Sequence, residues 1–160
     1  MEALAPVQDA IRRLSAIAKG RPGAAEIARL TLQAAAAAAQ SERDEMQLYL
    51  ASAIQMETLQ RAAGFSGAPL VPATEIAGDL WLQVHRYADA RRAYAEAADR
   101  VGSTLRTLSG LARAARRLDD MPAACTAYRR LLDAWGPRTA LPVEITEARA
   151  YIADCGPAKP

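Results

Sequence analysis

Histidine, cysteine and arginine are the residues here whose chemistry depends most on spacing, and each gives a different answer. His85 is the only histidine in the 160-residue chain. It falls in a turn between two helical patterns, so an ExxH metal site or a histidine-based nucleophile triad lacks its parts. Metal chemistry by carboxylates alone stays open. The two cysteines, Cys125 and Cys155, have neither CxxC spacing nor a nearby histidine and are read as free thiols in helices. A disulfide between them requires the last helix to fold back until their Cα atoms lie within about 7 Å. Met46 and Met56 have no thiols or histidines near them in sequence and read as gap-filling core. No GxGxxG or GxxxxGK[ST] loop occurs, and "GFSGAP" lacks the strand-then-helix setting of a nucleophile elbow. The expectation is a chain that is not an enzyme, with no metal and no cofactor.

Arginine offers binding chemistry. The net charge of +2 conceals a split, with seven Lys/Arg against nine Asp/Glu in residues 1–80 and thirteen against nine in residues 81–160. All basic residues except Lys19 and Lys159 are arginine, whose rigid fork suits carboxylates. Arg106, Arg113 and Arg117 are spaced seven and four apart, which sets them in one row on a helix, with Ser109 and Arg116 toward the same side. Leu108, Leu111, Ala112, Ala115 and Leu118 form the packing stripe of that helix. Residues 100–130 hold seven arginines against two aspartates, yet the one aromatic among them, Tyr128, reads as core and not as a base-stacking surface, and the pI of 8.7 falls short of about 9. Nucleic acid is therefore the less favoured partner.

Positioning of these groups falls to helices. Alanine dominates, strand-forming residues are scarce, and 160 residues suffice for one domain. Pro6 can open a first helix over about 6–19, with Val7, Ile11, Leu14 and either Ile17 or Ala18 on one face. "AAEIARLTLQAAAAAAQ" follows Gly23 as a second helix with small side chains suited to close approach. Ser41 is the expected N-cap of a third, which ends near Gly64. The glycines and prolines of 64–74 stop helix propagation. Four helices then follow at about 74–84, 87–101, 104–118 and 121–135, with links short enough for antiparallel hairpins. Residues 142–154 form a last helix with Ile145, Ala148, Tyr151 and Ile152 on one flank and Glu144, Glu147, Arg149 and Asp154 mostly elsewhere, as expected of a capping helix. Tyr87, Tyr94, Tyr128 and Trp81 read as core; Trp135 and Phe65 lie beside breaks and read as loop anchors.

"YADARRAYAEAADRVG" (87–102) and "MPAACTAYRRLLDAWG" (121–136) place Ala90, Tyr94 and Gly102 in step with Ala124, Tyr128 and Gly136, 34 residues on. A 34-residue period of helical hairpins resembles the tetratricopeptide repeat across about 71–138. Gly78, Trp81, Tyr87, Ala90, Tyr94 and Ala97 match the family's pattern in one unit; Ala112, Met121, Ala124, Tyr128 and Leu131 match it in the next. Departures are Gly102 and Gly136 in place of proline and Ala115 in place of the aromatic. The expected architecture is a single all-α domain of antiparallel hairpins stacked as a short right-handed solenoid. Residues 1–64 would be degenerate repeats or a cap, 71–138 two repeat units, and 142–155 the capping helix.

The resemblance implies an inner groove, lined by the first helix of each hairpin, that takes up a peptide or a partner's helix. On that mapping Glu75, Asp79 and Gln83 form an acidic rim, with Leu82 beside them, and Arg106, Ser109, Arg113 and Arg117 form the basic side, fitting a protein or peptide partner that carries acids. Asp79 and Gly110 depart from the family's carboxylate clamp, which argues against a chaperone-tail adaptor. The alternatives are a homo-oligomerisation or scaffold domain of a larger bacterial protein and a nucleic-acid-associated regulatory domain. No run approaches the ~18 apolar residues of a membrane span, and Glu2 and Pro6 do not suit a signal peptide. The expected location is cytoplasmic, or periplasmic if a signal has been removed.

Overall fold

The computed structural model describes residues 4–20, 23–64, 71–135, 142–153 and 155. Among these there are eight helices and no strands: α1 (Ala5–Gly20), α2 (Ala24–Ala39), α3 (Arg43–Ala62), α4 (Ala73–Gln83), α5 (Tyr87–Val101), α6 (Leu105–Arg117), α7 (Met121–Trp135) and α8 (Val143–Ile152). The chain is all-helical, with neighbouring helices packed within two compact units, Met1–Val84 and His85–Pro160. Phe65 and Gly136 lie outside the described residues.

In the first unit α1 lies along α2, α2 pairs with α3, and α4 packs on both α2 and α3. Ala34, Ala37 and Ala38 of α2 are buried, so the alanine run lets helix axes approach closely, as its small side chains require. Ile27, Leu30, Ala53 and Ala73 form the centre, with Tyr49, Ile54 and Met56 packed around it. On α1 the register resolves in favour of Ala18, which is half-buried, while Ile17 is 57% exposed. Glu57, buried on α3, accepts a hydrogen bond from the backbone N–H of Ala73 (2.8 Å) and one from Arg61 (3.0 Å). That carboxylate satisfies an orphan donor in the first turn of α4 and ties the helix to α3.

The second unit runs α5, α6, α7, α8, each against the next, with α8 also reaching α6. Its core contains Leu108, Ala112, Tyr128, Leu131, Ile145 and Ala148. Thr104 caps α6 in a box with Thr107. Gly110 of α6 lies against Tyr94 of α5 so closely that a Cβ there would clash with the ring. The flanking positions agree with the expected stripes, except that Leu118 is 37% exposed.

Two local expectations are corrected. Ser41 is no N-cap: it sits in the left-handed region at φ 64, and Glu42 precedes α3 without a side-chain capping bond. The reason is that Ser41 closes α2. Its N–H donates to Ala38 O (3.1 Å) and the Glu42 N–H to Ala37 O (2.9 Å), a Schellman ending. Cys125 and Cys155, expected as free thiols, are joined in a disulfide with Cα atoms 6.0 Å apart. The turn after Ile152 carries Cys155 back toward α7, which the spacing of two lone cysteines could not reveal.

The same ending recurs after α6, where Asp119 at φ 56 donates to Arg116 O (3.2 Å) and Asp120 to Ala115 O (3.0 Å). His85, at φ 61, occupies the middle of the equivalent three-residue connection after α4. Counted from these three left-handed residues, burial falls in step. Seven residues earlier stand Ala34, Gly78 and Ala112, all small and buried. Five, nine and twelve residues later stand Met46, Leu50 and Ala53; Ala90, Tyr94 and Ala97; and Ala124, Tyr128 and Leu131, all buried. The α2–α3 connection thus shares its burial register with the connections after α4 and α6. Sequence periodicity misses it because 44 residues separate Ser41 from His85 and only 34 separate His85 from Asp119, α3 being 20 residues long and α5 15.

Candidate functional site: the arginine face of α6

The strong helical pattern of α6 buries Leu108, Ala112 and Ala115 and turns its arginines away. The arginines are not equivalent. Arg113 directs Nε (2.9 Å) and Nη2 (2.7 Å) to Glu147 Oε2 on α8. Arg116 Nη1 reaches Glu147 Oε1 (3.3 Å), and its guanidinium lies 4.6 Å from the centre of the Tyr151 ring. The Tyr128 hydroxyl of α7 donates to Oε1 (2.5 Å). Tyr151 packs on Tyr128 with ring centres 5.0 Å apart and directs its hydroxyl to Met121 Sδ (2.7 Å). One carboxylate of α8 therefore gathers side chains from α6 and α7.

Electrostatics follow from this arrangement. Burial alone would push the Glu147 carboxyl up, but hydrogen bonds from Arg113 and Tyr128 and the two guanidinium charges outweigh it, holding the group below its ordinary value. Burial, reinforced by the bond to Glu147, pushes the Tyr128 hydroxyl up to about 12. The bond to Glu147 raises Arg113 further above its ordinary value. At neutral pH the cluster holds fixed charges, and none of these groups is poised to exchange a proton.

Of the expected site residues, Arg106 and Arg117 are exposed and Arg113 is half-buried on Glu147. Arg117 lies 5.6 Å over the Tyr87 ring, whose hydroxyl meets His85 Nδ1 at 2.9 Å. Ser109 is buried and donates to Arg106 O (3.2 Å), which corrects its placement on the open side: it sits toward the packed flank of α6. On α4, Gln83 is exposed, Asp79 and Leu82 are half-buried and Glu75 is buried, so Glu75 is not the open rim residue expected. Glu147, expected on the polar side of the last helix, is turned in toward α6 and α7. The signal was present: Glu147 stands one 34-residue period after Arg113. Among the described residues no three His, Cys, Asp or Glu side chains come together as a metal site would need.

No family model, no curated protein and no solved structure matches the chain. Among the described residues no helix is long and apolar enough to cross a membrane.

Proposed function

We propose that this chain is a non-catalytic protein-interaction module of tetratricopeptide type, which holds an acid-bearing segment of a partner protein against the exposed arginines of α6. The observation that carries the reading is the shared register of small and bulky buried positions around Ser41, His85 and Asp119. It is the small-then-large packing code on which the resemblance rests, and it extends to a pair of helices that the 34-residue period does not reach. Arg106 and Arg117 supply the contacts to partner carboxylates, while Arg113, held by Glu147, fixes α6 to α8. The disulfide supports the periplasmic alternative over the cytoplasm, since such bonds persist in oxidising compartments.

The test is an array of acidic peptides read by fluorescence anisotropy with the full chain. Exchanging Arg106 and Arg117 for glutamate should weaken capture by about tenfold or more. Unchanged binding in that variant removes the arginine face from the proposal.

A second reading, self-association, is favoured by Leu48 and Leu59 of α3, which are 64% and 63% exposed and lie nearly in line on the helix surface. Sedimentation of the wild-type chain and of a Leu48→Glu variant separates the two: a dimer that the substitution dissolves supports self-association.

A further inference from the structure

The face of α6 opposite its arginine row is not fully filled. At about 100° per residue, Leu111 lies some 120–160° and Ala115 some 160–180° around the helix from Arg106, Arg113 and Arg117. Together with Ala123 and Ala127 of α7 they floor an open hollow of about 450 Å³ on the α5–α6–α7 layer. The hollow has a cause in the sequence. Ala115 stands four residues before the left-handed Asp119, where α4, four residues before His85, has Trp81. An alanine in a position that accommodates an indole leaves that volume to be filled from outside.

Charge at the rim selects the occupant. Arg91 and Asp120 pair across one end at 3.1 Å, and both remain partly exposed. Toward the other end Arg130 is exposed and donates to the neutral hydroxyl of Ser103 at 2.9 Å. Two guanidinium groups against one carboxylate give the rim a net positive charge. A carboxylate reaching Arg130 would replace a neutral acceptor with a charged one, which strengthens the hydrogen bond.

We infer that this hollow is a docking site for a partner peptide in which a bulky apolar side chain adjoins an Asp or Glu. The apolar side chain sits on Leu111, Ala115 and Ala127, and the carboxylate pairs with Arg130. The site lies apart from the arginine face and stands whether or not that face binds anything.

An acetylated, amidated Ala-Phe-Glu-Ala-Ala peptide, titrated into the isotope-labelled full chain and followed by amide NMR, tests it. Saturating shifts should appear at Leu111, Ala115, Ala123 and Ala127. The glutamine counterpart of the peptide should bind about tenfold more weakly, as should the Glu peptide to an Arg130→Glu variant. Ala123→Phe, which fills the hollow, should abolish the shifts while the rest of the spectrum stays intact. If that variant does not fold, the surface exchange at Arg130 decides alone. Equal binding of the two peptides, undiminished binding by Arg130→Glu, or shifts confined to the Arg106 and Arg117 side of α6 each overturn the inference.

Discussion

Arg113 and Glu147 stand 34 residues apart and are joined by two hydrogen bonds to a single carboxylate oxygen, at 2.9 and 2.7 Å. Helices α6 and α8 thus carry opposite charges at positions that meet, and Tyr128 from the intervening helix closes the group. The arginine that reads from the sequence as a contact for a partner is first of all a contact within the protein.

Glu147 accordingly couples stability to pH. Its folded-state carboxyl lies below the ordinary value of 4.5, so the unfolded chain takes up a proton first as pH falls. The contribution is fully present above about pH 4.5 and disappears as pH drops through the folded value. Glu147→Gln should lower stability at pH 7 by about 1–2 kcal/mol, the partial exposure of Arg113 and Arg116 limiting the effect. Urea midpoints of wild type and variant, measured from pH 7 downward, should converge as pH drops through the folded value. A gap that stays constant from pH 7 into the acid range would show that the loss is one of packing.

Gly110→Ala should destabilise the second unit even though alanine is the better helix former. The gain in propensity is about 1 kcal/mol, whereas forcing a methyl into the Tyr94 ring costs about 2 kcal/mol or more. Thermal unfolding should show a midpoint lower by several degrees. In a Tyr94→Leu background the same substitution should cost markedly less, and additive effects of the two changes would contradict direct contact.

Reduction of Cys125–Cys155 should lower stability by about 3 kcal/mol, since the bond closes a loop with a sequence separation of 30. Denaturation with and without dithiothreitol measures this. The Cys125→Ser/Cys155→Ser double variant should match the reduced wild type and no longer respond to reductant.

Ser41→Gly and Asp119→Gly should each stabilise the chain by roughly 0.5–1 kcal/mol, because both residues hold a positive φ that an L side chain resists. Valine at either position should have the opposite and larger effect. If chemical denaturation finds glycine destabilising at Asp119, then its side chain contributes something that the backbone alone does not explain.

Most helices are legible from periodicity and breakers, because Gly, Pro and polar residues interrupt apolar repeats of 3.6. Tyr87–Val101 and Met121–Trp135 fall within the expected bounds, and the others differ by a residue or two. The candidate site is less legible. A helical row of arginines is a statement about one helix surface, whereas the roles of Arg113, Ser109 and Glu75 depend on which neighbours cover that surface. Ser109 and Glu75 are polar in type and buried in place, a combination that composition argues against and only packing can produce.

What the amino-acid order determined by itself is local: which segments are helical, where each one stops, and which of its stripes is apolar. Tertiary structure alone decided that Glu147 turns inward to two arginines and a tyrosine, that Cys155 meets Cys125, and that burial around the α2–α3 connection keeps step with burial around connections 44 and 78 residues away. The physical reason is that helix formation depends on neighbours three and four residues apart, whereas charge pairing, disulfide closure and packing register depend on surfaces that the chain brings together only when it folds.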